Sequence, residues 1–185
     1  MGQKGAETRD RLLAATQELV ETGGYFAAGL NQVIATSGAP RGSLYFHFPG
    51  GKDQLVGESV RRAGRGIGEE LEGLADESAS VAEFVTEVLR HLGERLAESG
   101  WRKGCPVATV VLDVAATNDP LRETCSEIYA SWEAVLRARL AGRADADDLA
   151  ATILALIEGA LLLARAHRSR EPLDRAARQI GALLS

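Results

Sequence analysis

The stretch Gly38–Phe48, which reads Gly-Ala-Pro-Arg-Gly-Ser-Leu-Tyr-Phe-His-Phe, constrains the fold of this chain more than any other feature. It follows a segment, 30–37, whose apolar residues recur at helical spacing. Gly38 ends that segment, and Pro40 suits the start of another helix because its missing N–H would have no partner there. A short second helix is then predicted over 41–46. Two helices joined by a tight glycine turn predict a helix-turn-helix.

Side chains of the second helix suit the major groove of DNA. Arg41 can donate two hydrogen bonds to guanine, at O6 and N7. Ser43 and Tyr45 can bond phosphate or base, and His47 can bond phosphate. Gly42 has no side chain, so the backbone can approach a phosphate or a base edge closely. We interpret this segment as a recognition helix.

Other apolar residues around this motif are predicted to build its core. Leu44 should face the preceding helices. A first helix is predicted over 6–22, because glycines at 23 and 24 are typical of a helix C-terminus. Four aromatic residues are expected to anchor the small core: Tyr25, Phe26, Phe46 and Phe48.

Composition and charge favour a helical protein with a DNA-binding head. The chain is rich in Ala, Leu, Glu and Arg and shows no strand-like alternation, which predicts an all-α fold of about nine helices. Residues 1–65 hold eight Lys/Arg and six Asp/Glu, which gives them a charge of +2. Because the net charge of the whole chain is −5, the remaining residues carry −7. A positive head on an acidic body fits a domain that binds DNA joined to one that avoids it.

The same residues exclude several classes of protein. The polar segment 1–5 is not a secretory signal, so a cytoplasmic location is expected. The most apolar run, 149–164, is interrupted by Glu158 and is short for a bilayer, so no membrane partner is predicted. Cys105 and Cys125 lack a metal-binding spacing. We therefore predict no metal and no cofactor.

Residues 9–56 resemble the DNA-binding domain of TetR-family transcriptional regulators. The family pattern G-x-x-[KR]-G-[ST]-L-Y-x-[HY]-F is matched at every position of Gly38–Phe48. The resemblance implies an all-helical homodimer that usually represses and releases its operator when a small molecule binds the C-terminal domain. It also implies a set of DNA-contacting residues: Asn31, Gln32, Arg41, Gly42, Ser43, Tyr45, His47 and Lys52.

Two features depart from the usual family pattern. Gly29 replaces the usual Ser or Thr at the cap of the second helix, which removes a hydroxyl that typically contacts phosphate. The longer turn 49–51 could shift Lys52 away from its usual place. For Lys52 two readings stay open at this point, a phosphate contact and a solvated lysine.

Three further segments are similar to the LmrA/YxaF-like branch of the family: 29–32, 48–52 and 104–108. That branch is associated with control of multidrug-resistance and efflux genes and with aromatic ligands such as flavonoids. The resemblance therefore implies a small apolar or aromatic effector.

The chain is predicted to divide into two domains. Residues 1–50 would form the three-helix DNA-binding domain with its helix-turn-helix, and residues 51–185 a helical ligand-binding and dimerisation domain. The fourth helix, predicted from residue 51 to 74, contains Gly64, Gly66 and Gly68. These glycines either weaken the helix as a hinge or permit close packing.

A dimer interface is predicted on the last two helices. The eighth helix is apolar on nearly all faces from 149 to 163, which is typical of a helix buried on two sides. One side would be the chain's own core and the other a partner subunit in a two-fold four-helix bundle; a single buried core helix is the alternative. The predicted interface residues are Ile153, Leu156, Ile157, Ala160, Leu163, Leu173, Ala177 and Ile180.

An apolar effector pocket with few polar groups is predicted in the C-terminal domain. Glu158 marks it, because a carboxylate within an apolar run needs a partner. That partner would be a ligand, Arg165 or a group across the dimer. The predicted pocket residues are Phe84, Val88, Trp101, Val111, Leu112, Trp132, Glu158 and Leu162.

Three rival functions remain at this point. A small helical enzyme or carrier would need a catalytic constellation, and no nucleophile, base and orienting group stand together in the sequence. We therefore predict a protein that is not an enzyme. The others are a DNA-binding activator and a redox sensor that uses Cys105 or Cys125.

Overall fold

A computed structural model describes residues 3–184 of the chain, and these residues form nine α-helices and no β-strand. The predicted all-α fold is confirmed. The helices are α1 (Gln3–Ala27), α2 (Leu30–Ser37), α3 (Arg41–His47), α4 (Gly51–Glu77), α5 (Val81–Glu98), α6 (Pro106–Val114), α7 (Asp119–Arg139), α8 (Ala146–His167) and α9 (Glu171–Leu184).

The chain folds into two compact units. The first holds the described residues up to Gly64 together with Pro106–Ser126, and the second holds Arg65–Cys105 together with the described residues from Glu127 onward. The first unit thus contains α1 to α3, the beginning of α4, α6 and the first part of α7. It is larger than the predicted domain 1–50, and the boundary at residue 50 stays a prediction.

The first unit has a small core that carries the helix-turn-helix. Gly38 ends α2 in a left-handed conformation, with φ 62°, and its N–H donates to the Ile34 carbonyl at 3.1 Å. This turn redirects the chain into α3, as predicted. The buried apolar side chains are contributed by α1, α2, α3 with the residues that flank it, and the start of α4: Leu12, Leu13, Ala15, Val33, Ala39, Leu44, Phe48 and Leu55.

Helix α1 is anchored to α6 within the same unit. Its regular part breaks at Gly24, which has φ 74° and ψ −165°, close to the predicted end. A Cβ at Gly24 would force the Asp113 carboxylate to shift, and the positive φ disfavours any side chain, so glycine suits this position. The Thr109 hydroxyl donates to the Val20 carbonyl at 3.0 Å. The α1–α6 contact therefore depends on a close backbone approach.

The second unit is built around α5, α8 and α9. Its fully buried side chains include Phe84, Leu89, Ile153, Leu173 and Ile180. Helix α8 is, of the described helices, the one whose length and composition would suffice to cross a membrane, with a mean hydropathy of 1.9. A core helix passes the same test, and six apolar residues of α8 are buried against this unit's own core: Ala150, Ile153, Ile157, Ala160, Leu161 and Ala164.

The glycines of α4 do not interrupt the helix, which runs continuously from Gly51 to Glu77. Apart from its own helix, no described atom lies within 4 Å of a Cβ built at Gly66. A Cβ at Gly68 would make only an ordinary contact, 3.9 Å from the Trp132 ring. Close packing therefore does not require glycine at these two positions. The hinge interpretation stays a prediction.

Candidate functional site

Helix α3 has a buried face and an exposed face. Leu44 and Phe48, the residue directly after α3, are four positions apart, so they lie on the same side of the helix, and both are fully buried. Phe46 lies two residues from each of them and points to the opposite side, where 77 % of it is exposed. Predicting Phe46 as a core aromatic was wrong, whereas the prediction for Phe48 and Leu44 is confirmed.

The other predicted core aromatics divide in the same way. Phe26 follows the break at Gly24 and is 70 % exposed, so its assignment to the core was also wrong. Tyr25 is half-buried, and its ring stands edge-on to that of Phe26 at 5.4 Å. Because the backbone turns at Gly24, the helical spacing of α1 no longer determines which side chain faces inward.

The predicted DNA-contacting residues are mostly available to solvent. Arg41, Gly42 and Tyr45 are exposed on α3, together with Asn31 and Gln32 at the start of α2. Ser43 and His47 are half-buried. The structure thus brings these seven residues to the two helices of one motif.

Arg41 is held by a neighbouring helix. Its Nη2 donates to the Asn31 Oδ1 at 2.8 Å, which joins the starts of α3 and α2. One N–H of the guanidinium is used in this bond, so other N–H groups stay free to donate to a base or a phosphate. Asn31 therefore pre-orients the cation that would meet DNA.

Lys52 is less exposed than a solvated lysine, because it packs against an aromatic ring. Its Nζ lies 3.9 Å from the centroid of the Tyr25 ring, and the side chain is half-buried. Burial lowers the pKa of Lys52, while the charges of Asp53 and Asp113 oppose that effect. A cation–π contact of this kind stabilises the charged ammonium. Its proposed phosphate contact stays a prediction.

Asp53, which the sequence did not single out, ties three helices together. Its Oδ1 accepts from the Tyr25 hydroxyl at 2.5 Å, and its Oδ2 accepts from the Asn118 Nδ2 at 2.9 Å. The Asn118 Oδ1 also accepts from the Leu121 N–H at 3.1 Å, which caps α7. Burial, and then the hydrogen bond and charge of Asp53, raise the pKa of Tyr25 to about 12. This cluster positions the first turn of α4, directly after the recognition helix.

Comparisons with known proteins agree with this geometry. The family described as "Bacterial regulatory proteins, tetR family" matches residues 12–58, which include α2 and α3. The family described as "Transcriptional regulator LmrA/YxaF-like, C-terminal domain" matches residues 81–179, more than half of the chain. The HTH-type transcriptional regulator LmrA of Bacillus subtilis is 33 % identical over 171 residues, which cover 90 % of this chain and 91 % of that protein.

The chain belongs to the TetR family. The assignment to that family and to the LmrA/YxaF-like branch, which the sequence motifs indicated, is confirmed. These relatives are transcriptional regulators rather than enzymes, so the prediction that the chain is not an enzyme is also confirmed. The chain is therefore a DNA-binding transcriptional regulator.

Solved TetR-family structures share the fold over nearly the whole chain. A regulator from Chloroflexus aurantiacus has a TM-score of 0.85 at 25 % identity and covers 98 % of this chain and 96 % of its own. A cysteine mutant of the regulator CifR, solved with a 26-base-pair operator DNA, has a TM-score of 0.79 at 24 % identity. The latter match covers 92 % of this chain and 95 % of the CifR chain.

In this TetR-family chain, the predicted pocket residues are distributed over both units. Val111 and Leu112 belong to the first unit, and the other six belong to the second. Phe84, Val88 and Trp132 are buried, whereas Leu162 and Leu112 are largely exposed. The pocket assignment stays a prediction.

Glu158 has a partner that the sequence did not suggest. Burial raises the pKa of Glu158, and a hydrogen bond with the Cys105 side chain opposes that rise. Cys105 directly precedes α6, and Glu158 lies in the middle of α8. The contact therefore links the segment before α6 to the most apolar helix of the second unit.

The two cysteines offer little support for redox sensing. Burial raises the pKa of Cys125 to about 11, and the nearby charge of Arg61 only partly opposes it. The Cys125 thiol is therefore protonated at neutral pH and is a poor nucleophile. The Cys105 side chain is engaged with Glu158.

Replacing Glu158 with glutamine is expected to stabilise the protein at pH 7. Burial raises the pKa of Glu158 in the folded state, so the folded protein binds the proton of this carboxyl more tightly than the unfolded chain does. This difference favours folding in full at pH values below the unfolded pKa, near 4.3, where the carboxyl is neutral like a glutamine. That contribution is lost as the pH rises through the folded-state pKa. Urea denaturation of E158Q and the parent from pH 4 to 8 should show a difference that grows with pH. An advantage for E158Q that is the same at every pH would contradict the assignment.

The predicted interface residues of α8 and α9 fall into two groups. Five of them are buried in the core of their own chain and are not available to a partner: Ile153, Ile157, Ala160, Leu173 and Ile180. Leu156 and Leu163 are 36 % and 51 % exposed, and Ala177 is half-buried. The interface stays a prediction. Most of the apolar positions that α8 exposes were not among the predicted interface residues.

Proposed function

We propose that this regulator is a homodimeric repressor that binds a pseudopalindromic operator and releases it when a small apolar or aromatic molecule binds. The observation that carries the proposal is the outer face of α3. There Arg41, Gly42 and Tyr45 are exposed, whereas Leu44 and Phe48 are buried in the core. Such a face can enter the major groove while its opposite side stays in the core. A regulator of this kind acts in the cytoplasm.

Charge at this face favours DNA. The seven residues of α3 include Arg41 and His47 and no acidic residue. Arg41 is already oriented by Asn31, so little side-chain freedom would be lost when it meets a guanine or a phosphate. The operator complex of CifR supports the same use of the shared fold.

An exposed apolar stripe on α8 supports the homodimer. The exposed face of α8 presents small or apolar side chains along its length: Thr152, Ala155, Leu156, Leu162, Leu163 and Ala166. An apolar stripe along a whole helix is a typical protein–protein contact. A second copy of the same stripe would cover it by two-fold symmetry, which also fixes the separation of two recognition helices.

Two features of the second unit support a ligand site. Glu158 is a carboxyl within an apolar helix, and such a group can bind a polar atom of an otherwise apolar ligand. Trp101 has a positive φ of 65°, which is rare for a bulky residue, and its ring packs against the core of the unit. Backbone strain of this kind is concentrated at ligand sites.

Arg41→Ala is expected to weaken operator binding by about 1–3 kcal/mol and to relax base preference at one position of each half-site. Duplexes selected from a random library by the purified protein supply the operator. Affinity would be measured for this operator and for a scrambled duplex. Gln179→Ala, at an exposed position of α9 in the other unit, serves as the control. Parent-like discrimination by R41A would contradict the recognition-helix assignment.

The ligand response can be tested through its reciprocity. A compound that lowers operator affinity by some factor must itself bind more weakly, by the same factor, when operator is present. A panel of aromatic and apolar compounds would be titrated against the protein with and without operator DNA. Equal compound affinities in both titrations, for every compound that binds, would contradict ligand-controlled release.

A further inference from the structure

The apolar side chain of Phe46 is exposed to solvent in the folded chain. Its exposed fraction, 77 %, is the highest of the large hydrophobic residues in the described part of the chain. An aromatic ring exposed to this degree contributes little to folding, but burying it in a complex would be favourable. The ring therefore has more to contribute to binding than to stability.

The surroundings of Phe46 suit a small apolar group. Gly42 lies one helical turn before it on the same face, and outside its own helix no described atom comes within 4 Å of a Cβ built there. The ring of His47 stands edge-on to that of Phe46 at 5.0 Å, which restricts the movement of the Phe46 ring. An open space and a restrained ring thus lie side by side on α3.

The chemistry of the major groove identifies one group that such a surface can read. Base edges there offer hydrogen-bond donors and acceptors, with the thymine 5-methyl group as the apolar exception. A phenylalanine ring has no polar atom with which to bond the other edges or a phosphate. Apolar contact with a thymine methyl is therefore the base contact open to Phe46.

We propose that Phe46 is a specificity-determining residue that contacts the 5-methyl group of a thymine in each half-site, with Gly42 leaving room for the base edge. The inference rests on the proposed operator binding through α3. Arg41 and Tyr45 occupy the neighbouring positions of the same exposed face, so polar and apolar readout would act side by side.

The test combines a protein variant with the removal of a single methyl group from DNA. Duplexes are selected from a random library by the parent and by Phe46→Ala. A thymine in each half-site should be enriched by the parent and lose its enrichment in the variant. In the parent's operator that thymine is then replaced by deoxyuracil, which lacks only the methyl. Parent affinity should fall about fourfold for each methyl removed, and F46A should bind both duplexes equally.

Phe26→Ala provides the matched control, since Phe26 is also an exposed phenylalanine of the first unit but lies outside α3. F26A should select the parent motif and keep the parent's sensitivity to deoxyuracil. Unchanged thermal unfolding of F46A would show that its effect does not arise from misfolding.

The possible contrary results are distinguishable. Selection of the same motif by F46A and the parent, with the same loss on deoxyuracil, would overturn the role of Phe46 and leave operator binding intact. Failure of the parent to enrich any DNA would overturn the proposed function, and this inference with it.

Discussion

Replacing Phe48 with alanine should destabilise the first unit by about 3–5 kcal/mol, the usual cost of removing a buried aromatic ring. Phe48 is fully buried and packs with the core residues of α1, α2 and α3. The Arg9 guanidinium lies 5.2 Å from the centroid of its ring. The substitution would thus leave a cavity directly beneath the recognition helix and remove a cation–π contact.

Phe46→Ala is the matched control for this substitution, because it removes the same ring two residues away on the exposed face. Its effect on stability should stay within about 0.5 kcal/mol. Urea denaturation, with hydrogen exchange of the α2 and α3 amides to follow the first unit, would measure both. A cost below about 1 kcal/mol for F48A, or equal costs for both variants, would contradict the assigned orientation of α3.

An arginine at Leu156 or Leu163 should separate the proposed dimer. Both leucines are exposed on the outer stripe of α8, so either substitution should leave the chain's own core intact. In a two-fold interface each substitution places two like charges in one apolar contact, and such juxtapositions cost several kcal/mol. We expect the dimer dissociation constant to rise at least about 100-fold, with a parallel loss of operator affinity.

Sedimentation of each variant over a range of protein concentrations would measure this effect. Ala138→Arg, at an exposed position of α7 in the same unit, introduces the same charge away from the stripe and should remain dimeric. Parent-like sedimentation of both L156R and L163R would show that the subunits associate through another surface.

Local sequence signals predicted the helices because their physical basis is local. Serine is a typical N-cap residue, and the Ser80 Oγ accepts from the Glu83 N–H at 3.2 Å at the start of α5. The left-handed Gly38 separates α2 from α3 at the predicted turn. Each of these structures depends on groups within a few residues of one another, so spacing and residue type were sufficient.

Orientation within α3 could not be obtained from residue type alone. Phe46 and Phe48 are identical side chains two residues apart, and only the position of Leu44 on the inward face distinguishes them. Applying the helical angle of about 100° per residue to Leu44 would have placed Phe48 inside and Phe46 outside. Helical phase relative to Leu44 thus distinguishes the two phenylalanines, whereas aromatic character does not.

Contacts between distant segments were beyond the reach of sequence spacing. Asp53 meets Tyr25 from 28 positions away and Asn118 from 65 positions away. The Cys105–Glu158 contact likewise joins two segments far apart in the chain. The faces of α8 could not be assigned for a similar reason, since its apolar residues surround the helix and give no amphipathic phase.

The most direct test of the central claim is the number of protomers bound to one selected duplex, measured by native mass spectrometry or sedimentation. Two protomers should bind a single duplex whose two half-sites are related by two-fold symmetry, with centres about 10–10.5 base pairs apart or a multiple of that spacing. One protomer on an asymmetric site, or no preference over a scrambled duplex, would contradict the account.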